Sequence, residues 1–388
     1  MSIRQLLHRL YRPVSPSLRA ELKWTLSAAK EVLRKAKCWT WVRIDVQPAG
    51  GTHRVTYSGT ASQQEAVALH LSGTAGLPSQ DWDTVTVTEL PLPGSLRVPR
   101  YVQPVVPLSA DLDTILEGYG DKLRRVVRQQ LAKVSVRRAD TPELIAFAND
   151  SMLQPYARER YGPGADQLPM QTVNDIATRH DGRLDIVHAG EEPVACHLGF
   201  ERVRRGKRYW NAIRFGFVDS VFRNSKRLHE VNSVNVFLAT RYAKENGYDY
   251  YGLGDCLGRP DDGLLHWKRR RGGQIDASQC QEWFYVRLPK HGTCEFLWNT
   301  PLFSAGFRGA NLKLHLGVPA ERSDAETIAR YREMSFGGLS EVVIHADQPM
   351  SKTLRASFES LFSASTPAPR IVERVRRAEI HEPIRALS

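Results

Sequence analysis

The segment that decides the fold is LDIVHAGEEPVACHLGFERVRRGKRYWNAIRFGFV, which spans residues 184–218. It contains three β-rich runs, at residues 184–188, 194–203 and 208–218. Polar turns that contain Gly190 and Gly206 separate the runs. The third run alternates large apolar and other residues in its second half, as a strand with one face against a core requires. These features predict an antiparallel meander of three strands.

A helical pattern follows the predicted meander. Apolar residues recur at spacings of three and four across residues 228–242, which places them on one face of a helix. Gly247 ends this pattern, because glycine readily adopts the left-handed conformation found at helix C-termini. Residues 248–254 are then predicted to form a short strand that closes in glycines. A strand, a helix and a strand in one sheet predict a right-handed crossover.

Four short motifs connect this unit to a known family. In chain order they are KLRRVVR at residues 122–128, NGYDYYGLG at 246–254, GLLHWK at 263–268 and RGG at 271–273. By their order and spacing the chain resembles the FemAB-like and BioF2-like acyltransferases of the GNAT superfamily, over roughly residues 100–290. The resemblance implies an α/β fold of the GNAT type, with a mixed, mostly antiparallel sheet flanked by helices and with N- and C-terminal extensions. FemAB-like proteins often contain two GNAT-related halves, and the resemblance leaves open whether this chain does.

The composition indicates a basic protein without metal-binding or disulfide patterns. Its 388 residues include 54 Lys and Arg against 42 Asp and Glu, for a formal net charge of +12. This charge predicts an anionic partner, and a phosphorylated cofactor, nucleic acid and an acidic membrane leaflet are the alternatives. The five cysteines form no C-x-x-C pair. Without a secretory signal or eighteen consecutive apolar residues, the chain is expected to be soluble in a reducing cytoplasm.

Shifts in composition divide the chain into five predicted units. They are a basic helical segment at 1–37, a small α/β unit at 38–104, the transferase unit at 105–300, a C-terminal α/β extension at 301–363 and a loosely held tail at 364–388. A proline-rich stretch at 98–104 marks a boundary or an extended connection. The basic N-terminal helices either contact an anionic inner membrane peripherally or pack on the domain with a solvated basic face.

Catalytic candidates follow from the chemistry of N-acyl transfer, which needs an aligned donor, backbone N–H groups for the oxyanion and a proton acceptor. The resemblance implies that strand 208–218 splays from strand 248–253, with the acyl arm of the donor in the gap. The candidate bases are Asp219 and Asp255, both expected near that gap, and Glu230 in the first turn of the helix, and Tyr251 is the candidate acid. Glu230 equally provides a favourable charge near a helix N-terminus, Tyr251 equally fits a core position, and His197 and His229 are reserves.

Two groups of cations predict a phosphate-binding site for the donor. They are Arg223, Lys226 and Arg227 at the start of the long helix, and Lys268, Arg269 and Arg271, with Arg270, further along. A helix N-terminus attracts phosphate through its free N–H groups, and adjacent cations are costly unless solvated or paired with an anion. The loop at 219–227 lacks the glycines of the usual GNAT pyrophosphate motif, a departure common in FemAB-like members. Solvated cationic faces, including one on a predicted helix at 113–133, are the alternative.

Three hypotheses for function follow. The first is an N-acyltransferase that uses acyl-CoA or an acyl carrier protein as donor, and a small molecule or peptide bearing an amine as acceptor. The second is a FemAB-type enzyme of cell-wall peptide synthesis that takes its aminoacyl group from tRNA. The third is a non-catalytic module whose basic face binds nucleic acid or a membrane surface. No metal is expected, because Asp261 and Asp262 have no partner carboxylates at ligand spacing, and the oligomeric state stays open.

Overall fold

The structure is a computed structural model that describes residues 39–46, 53–60, 63–71, 85–91, 93–162, 167–289, 292–306, 311–363 and 367–375. The basic segment at 1–37 and residues 376–388 of the expected tail lie outside the described residues. The described part is a mixed α/β fold of three sheets flanked by helices. The expected fold class, an α/β fold with mostly antiparallel sheets, is therefore confirmed.

Runs of strands and runs of helices follow one another along the described chain. The strands are β1 (Trp39–Val46), β2 (His53–Thr60), β3 (Thr86–Thr88), β4 (Leu96–Val102), β5 (Pro104–Pro107), β6 (Val134–Arg138), β7 (Gly182–Ala189), β8 (Glu192–Arg204), β9 (Lys207–Phe217), β10 (Tyr250–Gly252), β11 (Cys256–Leu257), β12 (Gln274–Ile275), β13 (Gln281–Arg287), β14 (Leu302–Ala305), β15 (Leu312–Val318), β16 (Glu341–Ala346) and β17 (Arg370–Val375). The helices are α1 (Gln64–Leu71), α2 (Leu112–Glu117), α3 (Asp121–Leu131), α4 (Pro142–Ala148), α5 (Gln154–Tyr161), α6 (Met170–Thr178), α7 (Asp219–Phe222), α8 (Ser225–Glu245), α9 (Gly263–Arg269), α10 (Thr293–Asn299), α11 (Asp324–Tyr331) and α12 (Lys352–Ser363), with a π-helical turn at Asn149–Leu153.

A seven-stranded sheet contains the predicted meander. Its order is β12-β5-β10-β9-β8-β7-β6. β7 pairs antiparallel with β8, and β8 pairs antiparallel with β9, so the meander is confirmed. β10 lies on the other side of β9 and pairs with it in parallel. β9, α8 and β10 therefore form the predicted crossover within one sheet.

Helix α8 connects these two parallel strands and covers the sheet. The side chain of Asn224 caps its start by accepting from the Arg227 amide at 3.0 Å. Gly247, with a φ of +71°, follows its end, as the sequence predicts. Val234 and Phe237 on the buried face of α8 pack in two core clusters over the sheet. Helix α8 thus lies in the connection between β9 and β10 and packs against residues of both strands.

The cation-rich helix predicted at residues 113–133 is two helices, α2 and α3. Gly118 is the C-cap of α2, and Gly120 is the N-cap of α3. Tyr119 between them forms an antiparallel bridge with Arg271. Because glycine is a poor helix former, two glycines flanking a residue held by a bridge interrupt the helix at this point. The prediction of one continuous helix is therefore wrong.

A six-stranded sheet combines strands from two of the predicted units. Its order is β1-β2-β3-β13-β4-β11. β1 to β4 come from the predicted unit at 38–104, and β13 inserts between β3 and β4 by antiparallel pairing with both. The N-terminal sheet is thus completed by two strands, β13 and β11, from the predicted transferase unit at 105–300. The proline-rich stretch at 98–104 mostly forms the second half of β4, and the chain passes at Gln103 from β4 into β5 of the seven-stranded sheet.

A four-stranded sheet, β14-β15-β16-β17, lies at the C-terminal end of the described chain. β15, β16 and β17 are parallel, and α11 and α12 occur in the connections between them. β17 falls within the segment 364–388 that was expected to be a loosely held tail. It pairs along its whole length with β16, and Arg370 forms an ion pair with Glu341. The expectation of a loose tail is therefore wrong for residues 370–375, because the exposed edge of β16 offers hydrogen bonds that the segment satisfies.

Substitution of Gly317 by Ala should destabilise the C-terminal sheet. A Cβ added at Gly317 in β15 would lie 1.9 Å from the Cys294 carbonyl oxygen and 2.6 Å from the Trp298 amide nitrogen, both backbone atoms of α10. The helix would have to move off the strand, so we expect a loss of roughly 3 kcal/mol in the free energy of unfolding measured with urea. Gly263→Ala is the control, since a Cβ there meets no atom within 4 Å. An equal stability of both variants would contradict the described packing of α10 on β15.

Candidate active site

The candidate active site is the gap in which β9 and β10 separate. The two strands pair in parallel at three positions, and the last pair is Asn211 with Gly252. β9 continues to Phe217, whereas the chain beyond β10 follows β5, with the Leu253 amide donating to the Pro104 carbonyl at 2.9 Å. The second half of β9 therefore has no described strand beside it on this side. This is the splay that the sequence resemblance implies.

A β-bulge in β9 accompanies the separation. The register between β8 and β9 shifts so that Gly199 faces Ala212 but Leu198 faces Arg214. β9 therefore carries one additional residue, Ile213, two residues beyond Asn211, where its pairing with β10 ends. Because a bulge bends its strand and increases the local twist, it accounts for the divergence of the two strands.

Lys268 holds the other wall of the gap. Its ammonium nitrogen donates to the carbonyl oxygens of Gly254 at 2.6 Å and Asp255 at 2.8 Å, and the residue is 3% exposed. Gly254 has a φ of +77°, which favours glycine, and this conformation turns the chain out of the sheet. Burial lowers the pKa of Lys268, and Cys256 and Asp255 partly oppose that shift. The predicted cofactor-binding cation is thus directed at the end of β10.

Asp255 is the predicted base that lies at the gap. Asp255 is exposed, and its backbone carbonyl accepts a hydrogen bond from the Lys268 ammonium. Partial removal of water from its surroundings raises the pKa of the Asp255 carboxyl, while Lys268 and Arg202 lower it. A carboxylate with a raised pKa that is open to solvent is able to accept a proton from an amine and release it. Of the four catalytic candidates, Asp255 directly follows the glycine at which the chain leaves the sheet.

Tyr251 is placed in the core beneath α8. It is 0% exposed, and its hydroxyl lies 3.4 Å from Nε2 of the buried His197. The His197 ring stacks on Phe215 of β9, with ring centroids 5.1 Å apart. Burial raises the pKa of Tyr251 well above its ordinary value and lowers the pKa of His197 to about 3. Both side chains are therefore neutral at physiological pH and support the helix side of the gap.

The candidates at the start of α8 form ion pairs with each other or with neighbouring strands. Arg223 pairs with Asp219 at 2.6 Å, and Arg227 pairs with Glu192 at 3.1 Å. Lys226 is exposed. The two arginines thus have carboxylate partners of their own, which lowers the attraction of this helix N-terminus for a phosphate.

Three of the predicted site residues line a cavity beside the first turns of α8. It has a volume of about 370 Å³ and an apolar floor that includes Val194 and Val234. Lys226, Arg227 and Glu230 lie along it, and Glu230 accepts from Gln130 Nε2 at 3.4 Å. The cavity faces strands of the meander, and the gap at Gly252 is not among its walls. Glu230 is therefore separated from Asp255, with which it was expected to share a site.

The four adjacent cations at 268–271 do not form one cluster. Arg269 and Arg270 both pair with Glu333, in the connection between α11 and β16. Arg271 is 2% exposed, donates to the Trp267 carbonyl at 3.0 Å and lies 3.8 Å above the Trp267 ring. Burial lowers the pKa of Arg271 to about 10. Successive residues at the end of α9 point in different directions, so the expectation that these four cations form a single anion site is wrong. Of the four, Lys268 is the one that donates to the carbonyls at the gap.

Sequence reasoning missed a buried amide pair at the gap. Nε2 of Gln103 donates to Oδ1 of Asn211 at 2.8 Å, and both residues are about 5% exposed or less. The available signal was a polar residue among apolar neighbours: Gln103 stands between Val102 and Pro104, and Asn211 stands between Trp210 and Ala212. Polar residues buried in such positions are usually hydrogen-bonded, but the sequence does not show to which partner.

Neither a metal cluster nor a membrane-spanning helix occurs in the described ranges. No group of three or more His, Cys, Asp or Glu side chains there is arranged to hold a metal ion. None of the helices described is long and apolar enough to cross a bilayer.

Comparison with known proteins returns similar solved structures only. No protein-family model and no curated protein matches the chain. The crystal structure of FemX is 14% identical, covers 65% of this chain and 89% of its own, and has a TM-score of 0.36. L-PGS from Bacillus licheniformis is 11% identical over 63% and 84%, with a TM-score of 0.33. A GCN5-related N-acetyltransferase from Anabaena variabilis is 8% identical over 69% and 63%, with a TM-score of 0.27. Since all three TM-scores lie below 0.5, the function of the chain must be inferred from its own residues.

Acid should destabilise the protein partly through His197. The pKa of this imidazole falls from 6.5 to about 3 on folding, so the unfolded chain binds the proton first. The associated stability is present above pH 6.5 and is lost as the pH falls toward 3, by about 2 kcal/mol between pH 7 and pH 5. His197→Gln, with no titrating group, should lose about 2 kcal/mol less than the wild type over that interval in urea unfolding. Equal losses in both proteins would show that His197 is not buried as described.

Proposed function

We propose that this chain is a GNAT-type N-acyltransferase that moves an acyl group from a thioester donor to an amine. The observation that carries the proposal is the gap between β9 and β10. No described strand pairs with β9 after Asn211 on the side of β10, and Lys268 holds the chain after Gly252 away from β9. An extended donor arm placed in this gap would run beside β9 and hydrogen-bond to its backbone as a strand does. The donor is acyl-CoA or an acyl carrier protein.

The reaction is a direct transfer that the residues at the gap are arranged to assist. The amine nitrogen attacks the thioester carbonyl carbon, a C–N bond forms, the C–S bond breaks and the thiolate leaves. Backbone N–H groups of β9 on the side of the gap would stabilise the oxyanion. An ammonium has three N–H donors, and Lys268 uses two of them on the Gly254 and Asp255 carbonyls, so the third is available to the same oxygen.

Asp255 would remove the proton that the amine loses. It adjoins the carbonyls held by Lys268 and faces solvent, so an acceptor amine approaching the gap from outside meets it. Its raised pKa makes it a better proton acceptor than an ordinary carboxylate. The proton then passes to water or to the departing thiolate.

A second donor, aminoacyl-tRNA, is favoured by the cationic face of α3. Lys122, Arg125 and Arg128 are exposed on this helix, and none of them has an ion-pair partner among the described residues. An open groove of about 500 Å³ runs along Arg124, Arg125 and Arg128. Such a surface attracts a phosphate backbone through release of counterions. The ester of an aminoacyl-tRNA would use the same gap and the same attack by an amine.

The proposal is tested by measuring release of free thiol from acyl-CoA species and acylated carrier protein, and deacylation of aminoacyl-tRNA, in the presence of amine acceptors. Transfer of the acyl group to the amine, followed by mass spectrometry, is the expected result for one donor class. A purified, folded protein that consumes none of these donors would overturn the enzyme proposal. If it nevertheless bound RNA or anionic vesicles in a salt-sensitive manner, the non-catalytic binding module would take its place.

Lys268→Met should abolish most of the transfer activity. The substitution removes the ammonium that holds the Gly254 and Asp255 carbonyls, and removal of one oxyanion donor typically costs 100-fold or more. We expect kcat to fall on the order of 100-fold in the thiol-release assay. Lys352→Met, an exposed lysine at the start of α12, is the matched control and should keep wild-type kcat. A Lys268→Met protein that is folded and fully active would rule out a role for this ammonium in transfer.

Charge reversal on α3 should separate the two donors. Arg125→Glu with Arg128→Glu removes two exposed cations, so tRNA affinity should fall and the salt dependence of binding should weaken by about one phosphate contact per residue. Turnover of acyl-CoA should stay within twofold of wild type. The control is Arg332→Glu with Lys352→Glu, which changes the net charge equally at a remote surface. Unchanged tRNA binding relative to that control would exclude α3 as the RNA surface.

A further inference from the structure

We propose that Gln103 and Asn211 are positioning residues that set the width of the gap by clamping the last residue of β10. This inference rests on the proposed function, because it assigns the pair a role in transfer. The two side chains reach each other from different elements. Gln103 stands between β4 and β5, and Asn211 is in β9.

The clamp passes over Gly252. In the sheet, β10 lies between β5 and β9, and Gly252 pairs with Val105 on one side and Asn211 on the other. The bond from Gln103 Nε2 to Asn211 Oδ1, 2.8 Å long, therefore spans β10 at this residue. A Cβ added at Gly252 would lie 2.3 Å from Asn211 Oδ1 and 3.1 Å from Gln103 Nε2. Only a glycine leaves room for the amides to meet across the strand.

The position of the clamp is the point at which the strands separate. Gly252 is the last residue of β10 that pairs with β9. Two residues later, Lys268 takes hold of the Gly254 carbonyl. The amide pair thus keeps β10 against β9 on one side of Leu253, and the ammonium holds the chain away on the other. The two contacts together determine where the gap begins and how fast it widens.

The pair is not a net source of stability. Among the described residues, one buried polar atom of each amide has no hydrogen-bond partner, namely Nδ2 of Asn211 and Oε1 of Gln103. A buried polar group that is left unpaired costs at least as much as one ordinary hydrogen bond contributes. Two such groups therefore offset the single bond between the side chains. An apolar pair of the same shape would serve the fold equally well, so the specific bond is explained better by the geometry that it imposes.

Precise placement matters for the proposed transfer, because a shift of about 1 Å in a reacting group can reduce the rate 100-fold. The test is the double variant Gln103→Met with Asn211→Leu, which replaces both amides by apolar groups of nearly equal shape. We expect its Tm to stay within about 3 °C of wild type, whereas kcat falls at least tenfold. The backbone amides of residues 253–255 should exchange hydrogen with solvent several-fold faster.

The control is Gln171→Met with Asn174→Leu, the same pair of changes on helix α6, which should leave kcat and exchange at 253–255 unchanged. The single variant Gln103→Met should lower Tm more than the double variant, because it leaves Asn211 Oδ1 unpaired as well. If exchange at 253–255 is unchanged in the double variant, the clamp does not exist. If exchange is faster but kcat is unchanged, the pair is structural only and the positioning role is overturned. If wild-type protein turns over no donor, the proposed transfer fails, and exchange alone decides whether the pair holds the strand end.

Discussion

The gap between β9 and β10 depends on one buried charge, the ammonium of Lys268. A cation that is 3% exposed is costly unless polar groups replace its water, and the carbonyls of Gly254 and Asp255 do so here. These carbonyls are available because Gly254, at a φ of +77°, turns the chain out of the sheet instead of continuing its pairing with β9. Because the ammonium needs both carbonyls, residues 254 and 255 are not available to continue β10. The gap begins where β10 ends. Helix α9, which carries Lys268, is held in place by the same contact.

The basic character of the chain is distributed in a way that the net charge conceals. Arginines at 223, 227, 269 and 270 have carboxylate partners, and Arg271 is enclosed by Trp267 and Ser233. Three exposed cations of α3, Lys122, Arg125 and Arg128, have no ion-pair partner among the described residues, and an open groove runs along this helix. A small phosphorylated donor and a polyanion would therefore be recognised at different surfaces. This separation allows the chemistry at the gap and the binding of a large anionic carrier to be measured independently.

Periodicity was sufficient to predict the elements that surround the site. The meander, the long helix α8 and the turn at Gly247 follow from local patterns of apolar residues and glycine. Directions of side chains did not follow, because consecutive residues at the end of a helix diverge by about 100°, and the four cations at 268–271 were assigned to one site. The Gln103–Asn211 bond joins residues far apart in sequence, and β17 depends on the edge of β16. Contacts of that kind are set by tertiary packing and leave no periodic signal.

Photocrosslinking tests directly whether the acyl arm of the donor lies in the gap between β9 and β10. The probe is an acyl-CoA analogue whose thioester is replaced by a thioether and whose acyl chain carries a diazirine. Such a donor binds without being consumed, so the label marks where the acyl arm lies. We expect labelled peptides from both walls of the gap, residues 212–217 of β9 and residues 253–256 after β10. Excess unmodified acyl-CoA should suppress this labelling. Labelling that excess acyl-CoA suppresses but that is confined to the valine-lined cavity beside α8 or to the α3 groove would contradict a donor site in the gap.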